Sequence, residues 1–248
     1  MEFKQQIPFP VRGIIATLVG PVHLRDETEE SLGELKIVLK LLPLRPEQEW
    51  LLSAFRWAAK NGHLHVLQWL HTTFQLTAKD ARSKKNYALR WAAMNGHLKV
   101  LQWLHTTFQL TVEDAHRYNN AAFSLAAKYN HQHVLQWLHT TYGLTVEDAC
   151  SDDNYAFRYA AENGHLHVLQ WLHTTFQLTV EDARSGDNYA FRWAAANGHL
   201  EVLQWLYTTF HLTAKDATSG NNWAFRWAAD NGHQHVLEWL HTTYGITG

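Results

Sequence analysis

The stretch Asn95-Gly96-His97-Leu98-Lys99-Val100-Leu101-Gln102-Trp103-Leu104-His105, or a near copy of it, occurs six times along the chain. Anchored on its valine, the copies fall at Val66, Val100, Val134, Val168, Val202 and Val236, a step of 34 residues each time with no insertion. A fixed period of this size signals stacked units, each burying its apolar face only against its neighbours. The 248 residues therefore read as one elongated array rather than the one or two globular domains that length alone suggests.

Apolar residues make up 46% of the chain and aromatic residues 13%, with twelve tryptophans, so there is ample side chain to bury between units. A formal charge of −2 and a pI near 6.8 give no global pull towards nucleic acid or an anionic membrane surface. The charge is uneven: residues 1–120 carry a net +4 and residues 121–248 a net −6, the latter arguing against a nucleic-acid reader. The single cysteine, Cys150, has no internal disulfide partner, which fits a reducing compartment or indifference to redox. The run Ile14 to Val19 is too short to span a bilayer, and Glu2, Pro10 and Arg12 make a poor signal peptide. A cytoplasmic protein is expected, with neither nucleic acid nor membrane as partner.

Residues 1–49 depart from the repeat. Ile7-Pro8-Phe9-Pro10 favours an extended entry. From Asp26 acids precede lysines, matching a helix dipole, and Leu35, Val38, Leu39 and Leu42 form one apolar stripe that Pro43 ends. An irregular helical N-terminal cap (1–49) before six units (50–248) is expected, because the first unit of an array otherwise exposes an apolar face. An F-box-like adaptor motif is the functional alternative for the Pro-rich start.

Within a unit, Asn86 precedes Tyr-Ala-Leu-Arg-Trp-Ala-Ala and recurs as Asn120, Asn154, Asn188 and Asn222, which reads as the N-cap of a helix A. Helix A should end where Gly62, Gly96, Asn130, Gly164, Gly198 and Gly232 align; glycine and asparagine share tolerance of the left-handed region, so this column reports a backbone need. The Ala92-Ala93 pair lets two helices approach closely, and Val100, Leu101, Leu104 and Phe108 supply the apolar stripe of an antiparallel helix B. Leu-Thr-x-x-Asp-Ala follows, as in Leu110-Thr111…Asp114-Ala115, and predicts a short third helical segment opened by a capping box. The residues after it, such as Ser83-Lys84-Lys85 and Ser151-Asp152-Asp153, read as polar turns that differ between units.

Residues 190–206, Ala-Phe-Arg-Trp-Ala-Ala-Ala-Asn-Gly-His-Leu-Glu-Val-Leu-Gln-Trp-Leu, resemble the ankyrin repeat, whose pattern is Thr-Pro-Leu-His-x-Ala-Ala-x-x-Gly-His-x-x-Val-Val-x-x-Leu-Leu. The match holds in every unit from about residue 50 to 248. The Thr-Pro-Leu-His start is replaced by Tyr-Ala-Phe-Arg-like sequence, and the hairpin segment by Leu-Thr-x-x-Asp-Ala; the period is one longer than the usual ~33. In these departures the chain is similar to the expanded ankyrin sets of protists, giant viruses and host-interacting bacteria. The resemblance implies an all-α solenoid of stacked helical pairs with a helical turn in place of the family's β-hairpin finger. It also implies a structural hydrogen bond from the Gly-His histidine at the start of helix B, and a concave face that contacts partners, in this cell or a host's cytoplasm.

Of eighteen histidines, fifteen fall in three columns, which repetition explains better than metal binding; equivalent atoms one unit apart lie too far from one another to share an ion. Arg56, Arg90, Arg158, Arg192 and Arg226 form a ladder interrupted by Ser124. Each either receives an acidic group or pairs internally with Asp182 and its equivalents; the internal pairing is favoured, since like charges at unit spacing need partners. No nucleophile elbow, phosphate loop or supported Cys/His pair is present, so no catalysis and no cofactor are expected.

The function this supports is a non-catalytic scaffold that binds a protein partner. In the column after Ala-Ala, Lys60, Met94, Lys128, Glu162, Ala196 and Asp230 vary while their neighbours scarcely change, and the resemblance places this column on the concave face. Tyr87, Trp91, Tyr155, Tyr189 and Trp223 are expected there as aromatic anchors, with Lys84 and Lys85 steering an extended partner along the charge gradient. The alternatives are an adaptor recruiting through residues 1–49 and self-association through an end face left by a chain that stops at Ile246-Thr247-Gly248.

Overall fold

The computed structural model describes residues 48–247, so the expectations placed on residues 1–47, the cap and the adaptor alternative among them, lie outside the described residues. Among the described residues there are helices and turns and no strand. Helices A are Gln48–Lys60, Ser83–Met94, Val112–Lys128, Ser151–Glu162, Ser185–Ala196 and Ser219–Asp230. Helices B are Leu64–Phe74, Leu98–Phe108, Gln132–Tyr142, Leu166–Phe176, Leu200–Phe210 and Gln234–Tyr244. Each helix A packs on its own helix B and on the helices A of adjoining units.

The alanine pair explains that packing. Ala92 and Ala93 are fully buried, as are Ala126, Ala127, Ala160 and Ala161, so backbone meets backbone with no side chain to hold it off. Val100, Leu101, Leu104 and Phe108 of helix B are buried as their spacing predicts. Between units the joint is aromatic: Phe55 meets Phe108 of the next unit edge-on at 5.8 Å, and Phe123 meets Phe176 of the next unit in the same way at 5.8 Å.

Helix A ends as expected. Gly96 has φ +74° and Asn130 φ +64°, so the one asparagine in the column takes the left-handed conformation of the glycines. The histidine after it makes a bond between units: His97 Nε2 donates to the Lys60 carbonyl at 3.0 Å, and His131, His165 and His199 repeat this to Met94, Lys128 and Glu162. A second histidine column closes helix B, with His105 Nδ1 bonded to the Leu110 carbonyl at 3.0 Å.

The third segment is helical, as Ala78–Ala81, Val146–Ala149, Val180–Ala183 and Ala214–Ala217, and as the first turn of Val112–Lys128. Its capping box forms in each: the Thr77 N–H and hydroxyl both donate to Asp80 Oδ2, at 2.8 and 2.7 Å.

Two expectations need correction. Asn86 is not an N-cap, since its Oδ1 accepts nothing and is buried, while its Nδ2 donates across to the next unit, to the Asp114 carbonyl at 2.9 Å and carboxylate at 3.1 Å. The polar turn does not precede the ranges given for helices A but interrupts them near their start, and although its residue types differ between units its backbone is constant: residues 84–86, 118–120, 152–154, 186–188 and 220–222 each make three consecutive left-handed residues. Asparagine at the third position tolerates that region and still reaches the neighbour, which explains the column.

Candidate protein-binding face

The left-handed turns and the helices A that follow them carry every residue expected to meet a partner. Their aromatic side chains form a ladder. Tyr155 stacks on Tyr159 at 3.9 Å, Tyr159 lies 5.7 Å from Tyr189, and the series continues through Trp193 to Trp223 at 5.1 Å and Trp227 at 5.3 Å. Tyr87 and Trp91 make a separate stack at 5.2 Å.

The variable column sits beside this ladder and partly serves it. Lys60 Nζ lies 4.2 Å from the Trp91 ring centre and Lys128 Nζ 4.3 Å from that of Tyr159, both in the following unit. Glu162 accepts from the Tyr189 hydroxyl; burial, and then this bond, raise the pKa of that phenol. Met94 is half-buried and Asp230 exposed. Ala196 is 1% exposed and offers no contact surface, a correction to its place among the partner-binding residues; the Asn231 side-chain amide donates to its carbonyl at 2.8 Å. Lys84 and Lys85 are exposed in their turn, Lys84 Nζ 3.9 Å from Glu49 and Lys85 Nζ 4.7 Å from the centre of the Tyr118 ring.

Three of the five ladder arginines pair internally, but not with Asp182 and its equivalents. Arg158 binds Asp153 of its own turn at 3.2 Å, Arg192 binds Asp187 at 3.5 Å, and Arg56 binds Glu49 at 2.9 Å. The capping-box aspartates are taken instead by side chains 32 residues earlier: Asp114 by Arg82, Asp216 by Arg184, Asp148 by His116 and Asp182 by the Cys150 thiol. Burial and then the Asp182 carboxylate push the Cys150 pKa up to about 12, so the thiol is a protonated donor rather than a nucleophile.

Arg90 differs from Arg56, Arg158 and Arg192. Lys85 stands where Arg158 and Arg192 find aspartate, and no carboxylate of the described residues lies within ion-pair distance of it. It donates to the Lys85 and Lys84 carbonyls at 2.9 and 3.2 Å, and burial lowers its pKa from the ordinary value. Its guanidinium covers Tyr118 at 4.9 Å, where Arg158 and Arg192 cover Tyr189 and Trp223 of the next helix A; the equivalent position after Arg90 is Ala121.

Three ladder positions are cut back in this third unit: Ala121 stands in the Tyr87 column, Ser124 in the arginine column and Leu125 in the Trp91 column. Their loss opens a cavity of about 330 Å³ between Trp91 and Met94 on one side and Tyr155 and Asp152 on the other, with Arg90 and Tyr118 at its edge. Trp91, Met94 and Tyr155, singled out from sequence, are thus brought together; Arg90, Tyr118, Ala121 and Leu125 were not expected at a binding site. The signal was available in the columns, because no other interior unit departs at all three positions.

A helical-pair solenoid with Ala-Ala packing and a Gly-His helix junction is what this geometry defines. The family described as ankyrin repeats (3 copies) matches residues 55–149, 123–218 and 157–247, and the chain belongs to the ankyrin repeat family. An X-ray structure of an ankyrin repeat family protein from Legionella pneumophila is similar at 18% identity, covering 89% of this chain and 77% of that one, with a TM-score of 0.43. None of the curated proteins matches the chain. Ankyrin repeats are in general protein–protein interaction modules. Among the described residues no helix is long and apolar enough to cross a membrane.

Proposed function

We propose that this chain is a non-catalytic scaffold that binds a protein partner along the concave face formed by its turns and helices A. The observation that carries the reading is a division of labour. The frame residues, Ala92, Ala93, Val100 and their equivalents, are buried and nearly constant, whereas the column Lys60, Met94, Lys128, Glu162 and Asp230 is accessible and differs between units, beside the half-exposed aromatics Trp91, Tyr155 and Trp223. Rigid support beneath half-exposed aromatics flanked by a variable column is the arrangement that binding hot spots require.

The test compares partner retention by the wild-type array with that by Met94→Glu and Trp223→Ala, whose melting temperatures should stay close to wild type. Both should release a retained partner, while Gln102→Ala and Gln136→Ala on the exposed side of helices B should not. Equal retention by all four contradicts the concave-face reading. Reversing Lys84 and Lys85 to glutamate should slow association and flatten its dependence on salt, since exposed charges act mainly on the on-rate.

A further inference from the structure

We propose that the cavity in the third unit takes one aromatic side chain of the partner with a carboxylate next to it, the ring between Trp91 and Tyr155 and the carboxylate on Arg90. The inference rests on the concave-face reading and adds the chemistry of one contact to it. Three absences at one place support it. The ring ladder runs unbroken from Tyr155 to Trp227 and resumes at Tyr87 and Trp91, and Ala121 and Leu125 remove the rings between. Ser124 removes the guanidinium that, in the fourth and fifth units, covers the next ring, so one face of Tyr155 is left open to the cavity. Arg90 lacks the carboxylate that Asp153 and Asp187 give to Arg158 and Arg192.

A partner that supplies a ring and a carboxylate restores what the fourth and fifth units hold within themselves. The floor of Trp91, Met94 and Leu125 suits a ring by area and by the edge and face geometry that aromatic pairs prefer. Arg90 has its Nε and one Nη bound to carbonyls, which orients the guanidinium, and Lys85 beside it adds to the positive potential. Asp152 on the far wall disfavours a carboxylate there, so the acidic group is directed towards Arg90. A cationic guest, filling the place of the missing arginine, meets Arg90 and Lys85 instead.

The experiment titrates the described array within its full chain with three blocked peptides, acetyl-Gly-Asp-Phe-Asp-Gly-amide, acetyl-Gly-Lys-Phe-Lys-Gly-amide and acetyl-Gly-Asp-Ala-Asp-Gly-amide, following the Trp91 indole N–H resonance. The acidic phenylalanine peptide should bind at least about tenfold more tightly than either other, the worth of one charge-assisted bond or one buried ring. Arg90→Gln should reduce its binding by about tenfold and remove the preference over the lysine peptide. The double variant Ala121→Tyr with Ser124→Arg, which rebuilds the ladder from residues the other units already accommodate, should abolish binding at unchanged melting temperature. Equal binding of the acidic and basic peptides, undiminished binding by the rebuilt ladder, or no movement of the Trp91 resonance with any peptide overturns the inference. The concave-face reading fails separately, only if the protein partner is retained by the Met94→Glu and Trp223→Ala variants.

Discussion

His131 Nε2 donates to the Met94 carbonyl at 3.0 Å, and its ring lies so close over Gly96 that a Cβ there would come within 2.6 Å of Nδ1. One glycine therefore answers two demands, a left-handed backbone and room for the next unit's histidine. At Gly232 nothing lies within 4 Å of such a Cβ, although φ is the same +74°. Gly232→Ala should cost about 1 kcal/mol for the left-handed backbone alone, and Gly96→Ala about 2–3 kcal/mol because the histidine must also move. Urea unfolding of the two variants measures the difference; equal losses would show that the histidine yields freely.

The same histidines make stability depend on pH. Burial lowers the pKa of His63 to about 4, helped by His65 and His97, and burial is also the leading cause of the lowered values at His97, His131, His165 and His199. The unfolded chain takes up these protons near the ordinary value of about 6.5, and the folded chain only below it, so the stabilisation is complete above that value and is lost as pH falls towards 4. The melting temperature should drop by roughly 5 °C or more between pH 7.5 and 5. A flat profile over that interval would contradict the assignment of these rings as buried and neutral.

Asp114 links two units through one carboxylate. It accepts from the Thr111 N–H at 3.0 Å, from Arg82 Nε and Nη2 at 2.8 Å each, and from Asn86, at 3% exposure. Burial by itself raises its pKa, but these donors outweigh burial and the net shift is downward. Asp80 has the Thr77 cap but receives only a long bond from Gln48. Asp80→Ala should cost about 1 kcal/mol, the worth of a cap, and Asp114→Ala about 3 kcal/mol, since it also strands Arg82 and removes one of the two acceptors of the Asn86 amide. Denaturation midpoints decide this, and similar losses at both sites would assign the stabilisation to the cap alone.

What could be read from sequence was whatever local physics enforces in every copy. The Gly96 column, the Thr111 to Asp114 capping box and the Ala92-Ala93 pair each answer to a single requirement, and repetition exposed them. The Arg158 ladder was visible, but its partner was not, because Asp153 and Asp182 are equally plausible acids and only the turn's conformation decides between them. The Asn86 column misled for a related reason: asparagine suits both an N-cap and a left-handed turn, and the two differ only in which backbone it sits on. Ala196 looked variable and hence exposed, yet a small residue can vary into a buried position without penalty. The cavity was hardest to foresee, since it consists of side chains that are missing, and the loss of Ala121, Ser124 and Leu125 from their columns means nothing until Trp91 and Tyr155 are seen on either side.

The left-handed turns hold the last expectation. Lys84 and Asp152 open two of them at φ +51° and +54°, where L-residues with a Cβ are strained by about 1 kcal/mol or more, whereas Gly186 and Gly220 occupy the same position in later units. Lys84→Gly and Asp152→Gly should each stabilise the array by about 0.5–1 kcal/mol, the relief of strain exceeding the extra freedom glycine gains in the unfolded chain. Loss of the Lys84 to Glu49 pair does not reverse this, because at 3.9 Å between side chains 62% and 65% exposed it contributes little. Asp152 has no such pair among the described residues and serves as the control. The hydrogen bonds that Arg90 and Arg158 make to this turn go to the carbonyls of residues 84 and 152, which glycine keeps. Lys84→Val, β-branched at a left-handed position, should instead destabilise by more than 1 kcal/mol. Urea midpoints at unchanged slope would establish the order glycine above lysine above valine, and a glycine variant less stable than wild type would mean that the neighbouring unit, and not the turn itself, sets the conformation.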